Sequence, residues 1–321
     1  MRLLQWFQSQ MCAPLSVLLV TSVCVIGSHQ CSAQVVRYGL ESGNQLEKTA
    51  KPYAADFFAR FEKLTRFGLA ISDDNQECYF AVALNDEGRF REEIRFTRRN
   101  EKGGWTNPQA LLPAEKKFKY VDPHFSPDRK RLFFIYTKPT QSENAKRRRQ
   151  AFDIWYIERK GPGWGAPVNL GAPISTDDAE EYFVSLTSKG TIFFGSNRRD
   201  RKNFDLYSAR LRSDGSYEEP QPLPGRVNTN KYEADVFVAP DESYVIFSSS
   251  GRADGLGQGD LYVSFKEASG DWSAAVNLGD RVNSDQQEFA PSVSADQKAL
   301  FFSRGGVLHW VSTAVIEELR P

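Results

Sequence analysis

Three glutamates, Glu180, Glu233 and Glu288, recur at intervals of 53 and 55 residues, with Glu181, Asp235 and Asp122 as neighbouring acids and His124 close by. Carboxylates brought to one point can hold a cation or a basic peptide. They can also divide the acid and base roles of glycoside hydrolysis. That chemistry needs the carboxyl groups in unequal surroundings, so that one keeps its proton while another loses it. A residue repeated at one position reads first as structural, ordering its loop by accepting backbone N–H groups or pairing with arginine. A second candidate set lies in turn-rich stretches: Arg198, Arg252 and Asp254. The chain has no Gly-x-Ser-x-Gly elbow, His-Glu-x-x-His, phosphate loop or Cys-x-x-Cys. No cofactor or metal is expected, since His124 and His309 stand without ligand spacing and no catalytic residue can be assigned by motif.

What must position these residues is a repeat. Five segments share one pattern: a short apolar strand, a turn, then a strand ending in paired large residues. They close on Phe80, Phe134, Phe194, Phe247 and Phe302, and the turn positions are Asp74, Asp128, Ser188, Asp241 and Asp296. Pro-Asp and Ala-Asp suit a tight turn, because the Asp side chain bonds nearby backbone N–H groups. A third strand follows at Asp153-Ile-Trp-Tyr156, Asp205-Leu-Tyr207, Asp260-Leu-Tyr262 and, degenerate, Leu308-His-Trp310. The leading Asp reads as ordering the loop before it. A fourth, edge-like element runs from an aromatic to a Leu six residues on: Trp105 to Leu111, Trp164 to Leu170, Tyr217 to Leu223, Trp272 to Leu278.

Four strands per unit in tandem predict an all-β propeller of five four-stranded blades, a sixth degenerate blade being left open. The last unit stops after its third strand, so the N-terminal stretch Tyr53–Phe61 is expected to supply its outer strand and close the ring. The innermost strands then line a channel, with the glutamates at one mouth, where Arg66 and Tyr120 hold the same position in the first two units. Gly251 to Gly259 reads as a loop whose glycines supply positive φ. Lys146-Arg-Arg-Arg149 reads as a solvated loop.

Residues 1–33 read as a secretory signal: Arg2, an apolar run from Pro14 to Gly27, then Cys31-Ser32-Ala33 before a cut. Residues 34–52 read as a linker and 53–321 as one propeller domain. Cleavage leaves Cys78 alone, a core thiol in a strand pattern, and a charge of 40 − 41 = −1. That balance excludes a long-range field for nucleic acid. No membrane span is expected after cleavage, and the chain is expected to be monomeric.

The hairpins Phe125-Ser-Pro-Asp-Arg-Lys-Arg-Leu-Phe-Phe134 and Phe237-Val-Ala-Pro-Asp-Glu-Ser-Tyr-Val-Ile-Phe247, with the Ser-rich and Gly-rich run Ser248–Tyr262, resemble the WD-like propeller repeat of the TolB type. The resemblance spans about residues 53–313. It implies an envelope propeller that binds protein or peptide, or a non-catalytic cap of the kind found on peptidases. The N-terminal α/β domain of TolB itself has no counterpart. The sequence thus leads to a non-enzymatic exported binding or scaffold module, periplasmic or extracellular, recognising a protein, peptide or glycan. The alternative is a propeller glycoside hydrolase using the carboxylates at the channel mouth.

Overall fold

The computed structural model describes residues 47–60, 65–86, 89–113, 118–139, 151–200, 202–224 and 226–321. The signal segment, most of the linker, Phe61 and the basic run 146–149 lie outside them. The rest is a five-bladed propeller of five antiparallel sheets. Blade one comprises Thr65–Ile71, Glu77–Asp86, Arg89–Arg98 and Gln109–Ala110. Blade two comprises Tyr120–Phe125, Arg131–Tyr136, Asp153–Lys160 and Val168–Asn169. Blade three comprises Glu181–Leu186, Ile192–Ser196, Asp205–Ala209 and Gln221–Pro222. Blade four comprises Tyr232–Val238, Tyr244–Ser250, Asp260–Phe265 and Val276–Asn277.

Blade five has Glu288–Val293, Ala299–Arg304 and Val307–Ser312, and its outer strand is Lys51–Pro52, paired with Trp310 and His309. The ring therefore closes with an N-terminal strand, but one lying just before the expected Tyr53–Phe61. Within that stretch Ala55–Ala59 is instead a helical turn. Tyr53 packs edge-on to Phe301 at 5.0 Å and Phe58 edge-on to Phe80 at 5.1 Å. These rings fill the seam between blades five and one, which an outer strand could not reach. Pro52 suits an edge, where no ladder N–H is needed.

The middle strands are buried on both faces, which explains their unbroken apolar runs. Leu132 to Tyr136 are all buried, as are Val245 to Phe247. Each blade packs its second and third strands against the next blade. Leu261 and Val263, for example, share a core with Leu300, Phe302 and Val311. Each fully buried large apolar side chain of this kind contributes about 1.5–3 kcal/mol. The turn aspartates act as expected. Asp74, Asp128, Asp241 and Asp296 each accept the backbone N–H two residues on. The hairpin of blade three differs. Its closing bond, from Thr187 N to Thr191 O, spans four residues, where Ser126 to Arg131 and Ala239 to Tyr244 span five.

All five inner strands carry a bulge where the register shifts. At each bulge one residue adopts positive φ: Gly68, Asp122, Phe183, Asp235 and Ala290, all between 48° and 58°. These five are equivalent and face the channel. Four of the five are not glycine, so strained backbone is held here by the surrounding ring.

Candidate functional site: the acidic mouth of the channel

Two residues before each bulge stands a first ring of side chains: Arg66, Tyr120, Glu181, Glu233 and Glu288. In blade three the equivalent residue is thus Glu181, not Glu180. Alignment on Phe194 slips by one residue because that hairpin is one residue short: 13 positions separate 181 from 194, against 14 from 233 to 247.

The three ring glutamates are fully buried and are held by their own blades. Glu233 accepts the backbone N–H and the hydroxyl of Thr229 at 3.2 and 2.6 Å, and Arg252 Nη2 at 2.9 Å. Glu288 accepts the N–H of Ser284 at 3.1 Å and Arg304 Nε at 2.8 Å. Glu181 accepts the N–H of Thr176, the hydroxyl of Ser196 and Arg198 Nη2. Each arginine lies over an aromatic face, Arg198 over Phe194, Arg252 over Phe247 and Arg304 over Phe302, at 5.0–5.7 Å. Each also donates to a carbonyl of the incoming loop: Ile174, Val227 or Val282. Glu233, Glu288, Arg198 and Arg252 therefore build latches that tie the incoming loop to the inner strand. Burial pushes Glu181 up to about 8 against the pull of Arg198.

The bulge ring is different. Asp122 and Asp235 are each 5% exposed. Asp235 accepts Ser248 Oγ at 3.0 Å and the N–H of Ala290, on blade five, at 3.1 Å. Asp122 Oδ1 is buried without a hydrogen-bond partner. It lies against Gly68, where an added Cβ would stand 3.1 Å from it. Burial lifts Asp235 to about 7. Burial also lifts Asp122 well above the carboxylate range, and the charges of Asp235 and Glu92 add to this. The two aspartates, with Gly68, His124, Phe183 and Ala290, line a cavity of about 30 Å³. At roughly 10–15 Å³ per water that is room for two or three waters and not for a sugar ring.

Above the pair the mouth is aromatic. Tyr182 packs on Phe152 at 4.6 Å and on Phe204 at 5.0 Å, and Phe204 meets Tyr232 at 5.7 Å. Tyr182, Phe183 and Tyr232 stay partly exposed. Burial raises the Tyr182 hydroxyl, and Glu180, Tyr232, Glu92 and Asp122 raise it further. Tyr232 is raised by burial and by Asp235, Glu180 and Asp122. Both therefore remain protonated donors. The half-buried Glu180 belongs to this cluster and not to the latches. Glu92, from the third strand of blade one, completes it and pairs with Lys119 at 2.9 Å. Glu92, Tyr182 and Tyr232 were absent from the sequence-based candidates, since no repeat marks them.

The remaining candidates are a histidine of the same cavity and a loop carboxylate. His124 sits deeper in the channel, where burial and Arg129 push it down to about 3, so it is neutral. Asp254 is exposed and accepts the Tyr262 hydroxyl. Of the loop glycines, only Gly251 uses positive φ. Gly257 is required by close approach, since a Cβ would stand 2.2 Å from Ser284 O. Among the described residues no three His, Cys, Asp or Glu side chains form a metal cluster.

No family model matches the chain, and no curated protein matches its sequence. Solved propellers do match its shape. A glycoside hydrolase aligns at TM-score 0.50 and 7% identity, covering 84% of this chain and 91% of that one. An endo-arabinase from Bacteroides thetaiotaomicron aligns at 0.47 and 15%, covering 78% and 93%. A gluconolactonase from Xanthomonas campestris aligns at 0.45 and 11%, covering 82% and 94%. At 7% identity the match at TM-score 0.50 bears on the fold alone, and the five sheets make the fold of this chain a five-bladed β-propeller.

Proposed function

We propose that the chain is a glycan-directed hydrolase whose chemistry lies on Asp122 and Asp235. One observation carries this reading: two carboxyl groups at equivalent bulge positions have unequal surroundings beside a water-sized cavity. Asp235 has two donors, which favour its ionised form, and its pKa of about 7 suits a base. Asp122, whose Oδ1 has no hydrogen-bond donor to favour its ionised form and which burial holds well above the carboxylate range, suits the acid. In this reading Asp235 orients and deprotonates a water in the cavity, and Asp122 protonates the leaving oxygen. The sugar rests above them on Tyr182 and Tyr232, whose hydroxyls donate hydrogen bonds. Export, suggested by the N-terminal segment, fits such a substrate. The TolB-type resemblance accounts for the hairpins and brings no activity with it.

The test is release of reducing ends from a panel of oligosaccharides by the full-length chain. Asp122→Asn and Asp235→Asn should each lower turnover by about 10²–10⁴-fold with unchanged circular dichroism. A wild-type chain that binds an oligosaccharide without cleaving it would replace this reading by a second, the non-enzymatic binding module. The 5% exposure of both aspartates favours that second reading.

A further inference from the structure

The mouth gathers carboxylates from four blades: Glu92 from blade one, Asp122 from two, Glu180 from the loop entering three, and Asp235 from four. Lys119 is tied to Glu92. The arginines of the neighbouring ring are turned away from the channel: Arg198, Arg252 and Arg304 into their latches, and Arg66 toward the Phe58 carbonyl at 2.7 Å. The buried Asp122 Oδ1, unpartnered and facing the cavity, still requires a donor. The partly exposed faces of Tyr182 and Phe183 attract positive charge. We infer that the saccharide held at this mouth is cationic, an amino sugar with a free ammonium group, an inference that rests on the glycan reading above.

The chemistry discriminates in both directions. An ammonium brings three donors and a charge, and so can satisfy Asp122 Oδ1 and offset the carboxylates together. An N-acetyl group brings one neutral donor, and a uronate brings a repelled carboxylate. With the mouth empty, the Asp122–Asp235 pair retains protons. A bound ammonium displaces the proton that Asp235 carries near neutral pH, so binding of the amino sugar releases protons into the solvent while Asp122 keeps its own and accepts the ammonium at Oδ1. Glu180, Glu92, Tyr182 and Tyr232 are the titratable neighbours of the pair at this mouth, and Lys119 is paired with Glu92.

The experiment is titration calorimetry of the full-length chain at neutral pH with three probes: a glucosamine tetrasaccharide, its N-acetylated counterpart and an oligogalacturonate. Each is run in two buffers of different ionisation enthalpy. The expected result is glucosamine binding roughly tenfold tighter than the acetylated form, the margin between a charge-assisted and a neutral hydrogen bond. It should weaken with salt, be accompanied by proton release, and leave the oligogalacturonate unbound. Glu180→Gln should shrink the margin several-fold with an unchanged melting temperature. Equal or tighter binding of the acetylated probe, or preference for the uronate, overturns the inference even if hydrolysis is found. Selective glucosamine binding without cleavage supports it and sinks the hydrolase reading instead. Failure of all three probes to bind overturns the inference as well.

Discussion

Two rings of side chains stand two residues apart on the same five strands and behave in opposite ways. The first, Arg66, Tyr120, Glu181, Glu233 and Glu288, turns into the blades. The second, Gly68, Asp122, Phe183, Asp235 and Ala290, turns into the channel. In the first ring the carboxylate repeats on three consecutive blades, and each time it meets the same donors: a loop N–H, a hydroxyl in two of the loops, and an arginine laid on an aromatic ring. In the second ring the carboxylate occurs on two alternate blades and its donors differ: two for Asp235, none for Asp122 Oδ1. Repetition accompanies satisfied hydrogen bonds because one local solution is copied with the blade. Irregularity accompanies unsatisfied groups because those side chains meet across the channel, where no copy supplies a partner.

Breaking a latch should have the largest effect. Glu233→Ala leaves Arg252 buried without its counter-charge, and a loss of about 3–5 kcal/mol is expected in urea unfolding. The double change Glu233→Met with Arg252→Leu should cost much less, since no charge is then stranded. Turnover or binding per folded molecule should not change.

The second ring is sharpened by pH. The folded Asp235 pKa of about 7 lies above its unfolded value. Its protonated form is therefore favoured by folding, and that contribution is present below the unfolded pKa and lost as pH rises through about 7. Asp235→Asn should remove this slope, and chemical melts over that window should separate the two proteins by up to about 4 kcal/mol, at about 1.4 kcal/mol per unit. An unchanged slope would place the titrating group elsewhere.

Gly68→Ala tests the cleft that accommodates Asp122. Its φ of +55° and the 3.1 Å approach to Oδ1 both oppose a side chain. A loss of roughly 1–3 kcal/mol is expected, together with altered titration of the aspartate pair. Ser248→Ala should have the smallest effect, about 1 kcal/mol. It withdraws one donor from Asp235, raises its pKa further and makes its environment more like that of Asp122. A pH profile that does not move would remove Ser248 from the distinction.

The five-blade count, four turn aspartates and the carboxylate near three of the inner-strand starts were legible in the chain because they recur about every fifty-five residues. The slip from Glu181 to Glu180 arose where one hairpin lost a residue, which periodicity alone cannot place. The closing strand lay at Lys51–Pro52 because Tyr53 and Phe58 were needed as seam-filling rings, and ring packing outweighed the apolar pattern. Glu92, Tyr182 and Tyr232 carried no signal at all. Each is an ordinary residue in its own blade, and each matters only through what faces it from another.

The amino-acid sequence alone determined what is local: strand, turn, repeat and the all-β class, since hydrogen bonds and side-chain alternation within a blade depend on near neighbours. The tertiary structure decided which carboxylates are latches and which are left wanting a partner. That difference arises only when the ring closes, because closure sets which side chains are buried together across the channel and which donors reach them.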